Sequence, residues 1–186
     1  MPASWNELLL QKLSLFPKGR QGRLRICLVG VGSELRGDDS AGICLARALL
    51  QDERITRMPN LLIVDGGLAP ENHTGALRAF RPDLVLLVDA AHMDEPPGTV
   101  AWVPVEAIDG MSASSHSLPL SMLAGYLTFE LGCEVAVLAV QPGQNDFDTD
   151  PSPAVRNAVE HIQAEIGRAL LPSNPAAALI PVAPAL

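Results

Sequence analysis

Four segments of this chain are apolar almost throughout: Leu24 to Val29, Leu61 to Asp65, Leu84 to Asp89 and Glu134 to Val140. A strand with no polar face must be covered on both sides, and a parallel sheet between two layers of helices does this. The intervening sequence supplies the helices. Ser40 to Arg54 places Ile43, Ala46, Leu49 and Leu50 on one face. A last helix, opened by Ser152 and Pro153, carries an apolar stripe of Val155, Val159, Ile162, Ile166 and Leu170. Ala76 to Arg81 and Leu118 to Glu130 read as two more helices, the second tolerating Pro119 in its first turn. Thr99 to Val105, with Trp102, reads as a further strand. The pattern predicts an α/β fold, a three-layer αβα arrangement around a mostly parallel, twisted sheet of about five strands.

Ahead of this pattern, Ser4 to Phe16 reads as a helix in which Ser4 and Glu7 form a capping box. Residues 1–23 are therefore taken as an N-terminal helical extension, 24–171 as the α/β domain, and 172–186 as a Pro- and Ala-rich tail without charge. At 186 residues and 48% hydrophobic content, one domain with a substantial core is expected. Thirteen Lys and Arg against 21 Asp and Glu give a net charge of -8, which argues against binding nucleic acid. Apolar runs such as Val135 to Val140 fall far short of the ~20 residues of a membrane span, so no membrane insertion is expected. Glu7 interrupts the N-terminal leucines and no basic segment precedes them, which reads against a secretory signal. Three cysteines without a C-x-x-C point to a reducing compartment, and a cytoplasmic location is expected.

In open sheets of this kind, ligands bind beyond the carboxyl ends of the strands. The first strand runs into Gly30-Val-Gly-Ser-Glu-Leu-Arg-Gly-Asp-Asp39, the second ends at Asp65, and the third at Asp89. The loop after the fourth holds Ser112 to Ser115 and then His116, so these groups are expected to share one sheet edge. The glycine-rich loop is no nucleotide cradle. Leu35 stands where a dinucleotide fingerprint needs its third glycine, and Asp38 where a P-loop needs its lysine. Carboxylates at the mouth of a phosphate site repel the ligand, whereas they suit a cation. Asp39, Asp89 and His116 make a mixed carboxylate and imidazole set suited to Ni, Zn, Co or Fe. Three protein ligands with a vacancy is the pattern of a working rather than a structural site. Asp65, His73 and His92 compete for places in that set on spacing alone, and helix capping or strand-end hydrogen bonding accounts for the same residues without a metal. Asp38 is expected to cap the helix that begins near Ser40. His161 lies inside the last helix, and Cys27, Cys44 and Cys133 read as core thiols. No G-x-S-x-G elbow supports a serine nucleophile.

The blocks G-V-G-S-E-L-R-G-D-D-S-A-G (Gly30 to Gly42), V-D-G-G-L-A-P-E-N (Val64 to Asn72), L-L-V-D-A-A (Leu86 to Ala91), S-S-H-S-L-P-L (Ser114 to Leu120) and V-Q-P (Val140 to Pro142) occur in an order and spacing that together are specific. In them the chain resembles the hydrogenase maturation endopeptidases over about Leu24 to Leu170. These trim the C-terminal extension from the large subunit of nickel–iron hydrogenases. The double aspartate and the D-G-G-x-A-P-E-N block resemble the branch serving formate-hydrogenlyase-type hydrogenases. Carried over by position, the resemblance implies that Asp39, Asp89 and His116 contact the metal and form the catalytic set. It implies that nickel arrives with the substrate, the large-subunit precursor, and serves as the recognition element. Hydrolysis could then proceed with the metal as Lewis acid or with a carboxylate as general base. Ser33 departs from the family's usual Gly-Asn pair. Two other readings remain at this level, a nickel checkpoint or chaperone that binds without cutting, and a small-substrate hydrolase on a similar frame. The oligomeric state is left open.

Overall fold

The computed structural model describes residues 3–15, 24–104, 107 and 119–171. The segment holding Ser112 to His116 and the Pro/Ala-rich tail lie outside the described residues. Strands β1 (Ile26–Val31), β2 (Leu61–Gly67), β3 (Leu84–Ala90), β4 (Val100–Pro104) and β5 (Glu134–Val140) form one sheet in the order β2-β1-β3-β5-β4. The β1–β2, β1–β3 and β3–β5 pairs are parallel, and β4 alone runs antiparallel, along β5. The mostly parallel five-stranded sheet expected from the sequence is therefore present.

Alternation along each strand sorts side chains between two helical layers. Leu28, Leu86, Val88, Leu138 and Val140 face α1 (Trp5–Leu15), α2 (Ala41–Leu50), the short α3 (Glu53–Thr56) and α6 (Pro153–Leu170). Cys27, Val29, Val85, Leu87, Val137 and Ala139 face α4 (Thr74–Phe80) and α5 (Leu120–Leu131). Each large aliphatic buried in this way contributes about 1.5–3 kcal/mol. Val155, Ile162 and Ile166 of the predicted stripe are essentially inaccessible, and Ser152 caps α6 by accepting the Val155 N–H.

One expectation is refined. The single helix read over Ser40 to Arg54 is a 3-10 turn (Gly37–Ser40) followed by α2 and, separately, α3. Asp52 breaks it by adopting an extended conformation and accepting the Arg54 N–H as the α3 cap, a role suited to its short acceptor side chain. The helix of the N-terminal extension packs into the main core. Trp5 and Leu9 are buried with α2 and α6, the Trp5 ring meets His161 edge-on at 5.9 Å, and Lys12 pairs with Glu134. At its start the Ser4 N–H and hydroxyl both donate to the Glu7 carboxylate, at 2.7 and 2.8 Å, which lowers its pKa.

Candidate active site

From β1 the chain crosses to β2 on one side of the sheet, and β3 then takes the other side of β1. The carboxyl ends of β1 and β3 thus flank the switch point, where such sheets open a crevice. Asp39 stands in the 3-10 turn that follows β1, and Asp89 is the penultimate residue of β3. Each carboxylate is only about 1% exposed. Side-chain carboxylates are seldom buried to this degree, because removing the charge from water is costly. Two of them at the switch point mark the centre of the candidate site.

The glycines of the β1–α2 loop serve backbone packing. A Cβ on Gly30 would stand 2.1 Å from the Gly42 carbonyl oxygen, and one on Gly42 would stand 2.1 Å from that of Val88. The start of α2 is therefore pressed directly onto β1 and β3. Gly32 has φ +129, and a Cβ there would fall 1.8 Å from the Asp39 carbonyl oxygen, so this position admits glycine alone. The loop closes on itself when the Ser33 N–H donates to Asp39 Oδ2 at 3.0 Å. Ser33 is itself buried, and its hydroxyl accepts the Leu35 N–H at 3.4 Å.

Asp38 does not cap the helix beginning near Ser40. It lies inside the 3-10 turn, and the cap of α2 has no side-chain hydrogen bond. Its carboxylate, fully buried, turns the other way. Oδ2 accepts the N–H groups of Gly143 (2.7 Å) and Gln144 (3.0 Å), and Oδ1 accepts that of Ser152 (2.5 Å). The Asp38 N–H donates to the Gln144 carbonyl and the Gly37 N–H to that of Thr149. Gln141, whose role the sequence did not disclose, is also buried. Its Oε1 accepts the Met93 N–H at 2.7 Å, and its Nε2 donates to the Pro142 carbonyl at 3.0 Å.

The other sequence candidates separate. Asp65 lies within β2, two residues before its end, and accepts Arg47 Nε at 2.7 Å while Glu34 accepts Nη1 of the same guanidinium at 2.7 Å. The bond to Asp65, and then that to Glu34, raises the Arg47 pKa further. His73 ends the 3-10 turn Pro70–His73, His92 is an exposed loop residue after β3, and His161 lies on α6 beside Trp5. His116 lies outside the described residues. Because β4 is antiparallel, its carboxyl end falls at the opposite sheet edge from Asp39 and Asp89, contrary to the expectation that the fourth strand delivers its loop directly to the site. The chain re-enters the sheet through α5, whose end leads into the start of β5, where Glu134 pairs with Leu84. Among the described residues no group of three or more His, Cys, Asp and Glu stands close enough to hold a metal. Cys27 and Cys133 are unsuited to nucleophilic work. Burial, with Cys133 nearby, pushes the Cys27 thiol up to about 12, and burial raises Cys133 as well.

A family model of the hydrogenase maturation proteases matches residues 45–169. The Hydrogenase 3 maturation protease of Escherichia coli is 34% identical over 138 residues, 73% of this chain and 84% of that protein. A [NiFe] hydrogenase maturation protease from Thermococcus kodakarensis superposes with TM-score 0.75 at 30% identity, covering 88% of this chain and 98% of that one. A solution structure of an endopeptidase from Escherichia coli gives TM-score 0.64 at 33% identity, over 76% and 88% of the two chains. Sequence and fold thus agree over most of the molecule, and this chain belongs to the hydrogenase maturation protease family, as a peptide-bond hydrolase of the endopeptidase class.

Proposed function

We propose that the protein removes the C-terminal extension from the large-subunit precursor of a nickel–iron hydrogenase, and that it recognises the precursor by the nickel already bound there. The observation that carries this reading is the pair of buried carboxylates, Asp39 and Asp89, on either side of the β1/β3 switch point. Two carboxylates offset most of a divalent charge, and an imidazole completes a donor set suited to nickel. His116 is the third member. Asp89 shares the strand parity of Val85 and Leu87, the face covered by α5, and α5 begins four residues after His116. Nickel is cargo of the substrate in this scheme. The three residues contact its exposed side and seat the adjoining peptide in the crevice, where one bond is hydrolysed. An unloaded precursor offers them no cation, so cutting waits for metal insertion. The Val64 to Asn72 block, in which the chain resembles the branch serving formate-hydrogenlyase-type hydrogenases, supports a precursor of that type.

The test substitutes Asp39→Asn, Asp89→Asn and His116→Ala one at a time and follows cleavage of nickel-loaded precursor alongside thermal melting. Each is expected to lower cleavage at least about 100-fold, with His116→Ala costing under about 1 kcal/mol of stability. A variant that cuts normally would remove its residue from the set. A variant that fails to fold would assign it a structural role instead.

A further inference from the structure

We infer that Gln141 is a positioning residue for the cleavage reaction, and that with Asp38 it makes the segment from Gln141 to Ser152 a cross-brace setting the approach of Asp39 to Asp89. The inference rests on the reading of those two aspartates given above. Asp89 is held in β3 by its pairing with Ala139 of β5, whereas Asp39 stands in the 3-10 turn after β1, outside the sheet, so its approach to Asp89 depends on what holds that turn. The segment after β5 is fastened to that turn and to the loop that follows β3. At one end Gln141 Oε1 accepts the Met93 N–H at 2.7 Å and lies 3.4 Å from that of Glu95, gathering the loop that begins just after Asp89. Backbone bonds from Gln141 N to the Thr99 carbonyl (2.8 Å) and from Gly98 N to the Gln141 carbonyl (2.9 Å) close that loop around it. Its Nε2 bond to the Pro142 carbonyl fixes the amide's orientation. At the other end the Asp38 carboxylate takes the N–H groups of Gly143, Gln144 and Ser152, one residue away from Asp39. The Asp148 N–H adds a bond to the Leu35 carbonyl at 2.8 Å. Both side chains are buried, at 6% exposure for Gln141 and 0% for Asp38, so water does not compete for these bonds. Neither reaches substrate in this account. They act through the aspartates they position.

The experiment compares Gln141→Met, which keeps the side-chain length but neither accepts nor donates strongly, with Gln141→Glu, which keeps the acceptor for Met93. Single-turnover cleavage of nickel-loaded precursor is measured over a range of enzyme concentrations, well below each variant's melting temperature. Amide exchange at Met93 and Glu95 is read in parallel. Gln141→Met is expected to lower the cleavage rate constant about 10- to 100-fold, with half-saturation within about threefold and faster exchange at both amides. Gln141→Glu, which keeps the acceptor for Met93 but loses the donor to the Pro142 carbonyl, should recover part of the rate. A normal rate constant in Gln141→Met with both amides exposed would overturn the inference, as would Gln141→Glu cutting no faster than Gln141→Met. If Gln141→Met does not fold, Gln141→Asn, which withdraws the amide by one bond, takes its place with the same expectations. Asp39→Asn and Asp89→Asn are run beside them. Normal cutting by those two would sink the reading of the site itself, whereas their loss with Gln141→Met intact would sink the brace alone.

Discussion

Asp38→Asn gives a stability prediction whose size follows from hydrogen-bond geometry. The carboxylate accepts three backbone N–H groups, two at Oδ2 and one at Oδ1, at a site without solvent exposure. An amide has one acceptor oxygen. In its better orientation it keeps Gly143 and Gln144 and turns its own N–H₂ toward the N–H of Ser152, so one bond becomes a donor facing a donor. Hydrogen bonds to a charged acceptor are worth about 1.5–3 kcal/mol each and neutral ones about 0.5–1.5. One bond is thus lost and two are weakened, and the easier burial of a neutral group offsets part of the loss. The net cost is about 2–4 kcal/mol, a fall in melting temperature of roughly 5–15 °C for a domain of this size. Calorimetry supplies the first readout, and amide exchange at Gly143, Gln144 and Ser152 the second, where protection should fall most. A change under about 2 °C with unaltered exchange would refute the reasoning, because it would mean that these three N–H groups do not depend on the carboxylate.

Other outcomes follow from the same geometry. Gly42→Ala drives a Cβ against the carbonyl oxygens of Val88 and Val31, at 2.1 and 2.5 Å, and should cost at least about 3 kcal/mol or prevent folding in a denaturant titration. Gly125→Ala, in α5 with nothing within 4 Å of the added methyl, should stabilise by about 0.5–1 kcal/mol in the same titration. Native alkylation at pH 8, followed by intact mass, should label half-buried Cys44 first and leave Cys27 and Cys133 unmodified, without loss of cleavage. Because burial raises the folded-state pKa of Cys27 to about 12 from 9.0, the unfolded chain releases that proton first. The corresponding stability is fully present below pH 9 and declines between pH 9 and about 12, and Cys27→Ala should flatten that part of the curve.

The layout of the fold was legible because strands buried on both faces leave a plain signature, and Glu134 to Val140 and the Ser152 cap of α6 fall where the periodicity places them. What escaped were features set by distant partners. The direction of β4 is decided by its pairing with β5, and nothing in Thr99 to Val105 encodes it. The adjacent aspartates show the same limit more sharply. Side by side in sequence and both buried, they face different neighbours, and only the 3-10 turn sends Asp38 to the Gly143–Ser152 segment while Asp39 turns back to Ser33. Asp65 and Asp89 are likewise equivalent as residues near the ends of parallel strands. The structure distinguishes them through Arg47 of α2, which pairs with Asp65. The buried amide of Gln141 gave no sequence signal beyond its place in the V-Q-P block, because a glutamine's partners in a loop cannot be read from spacing.

The most direct test of metal-gated cleavage is the intact mass of a large-subunit precursor after incubation with this protein, nickel-loaded and nickel-free in parallel. The account predicts loss of a single C-terminal peptide from the loaded precursor and an unchanged mass for the nickel-free one. Equal cleavage of both would contradict it, because Asp39, Asp89 and His116 would then be recognising something other than the metal.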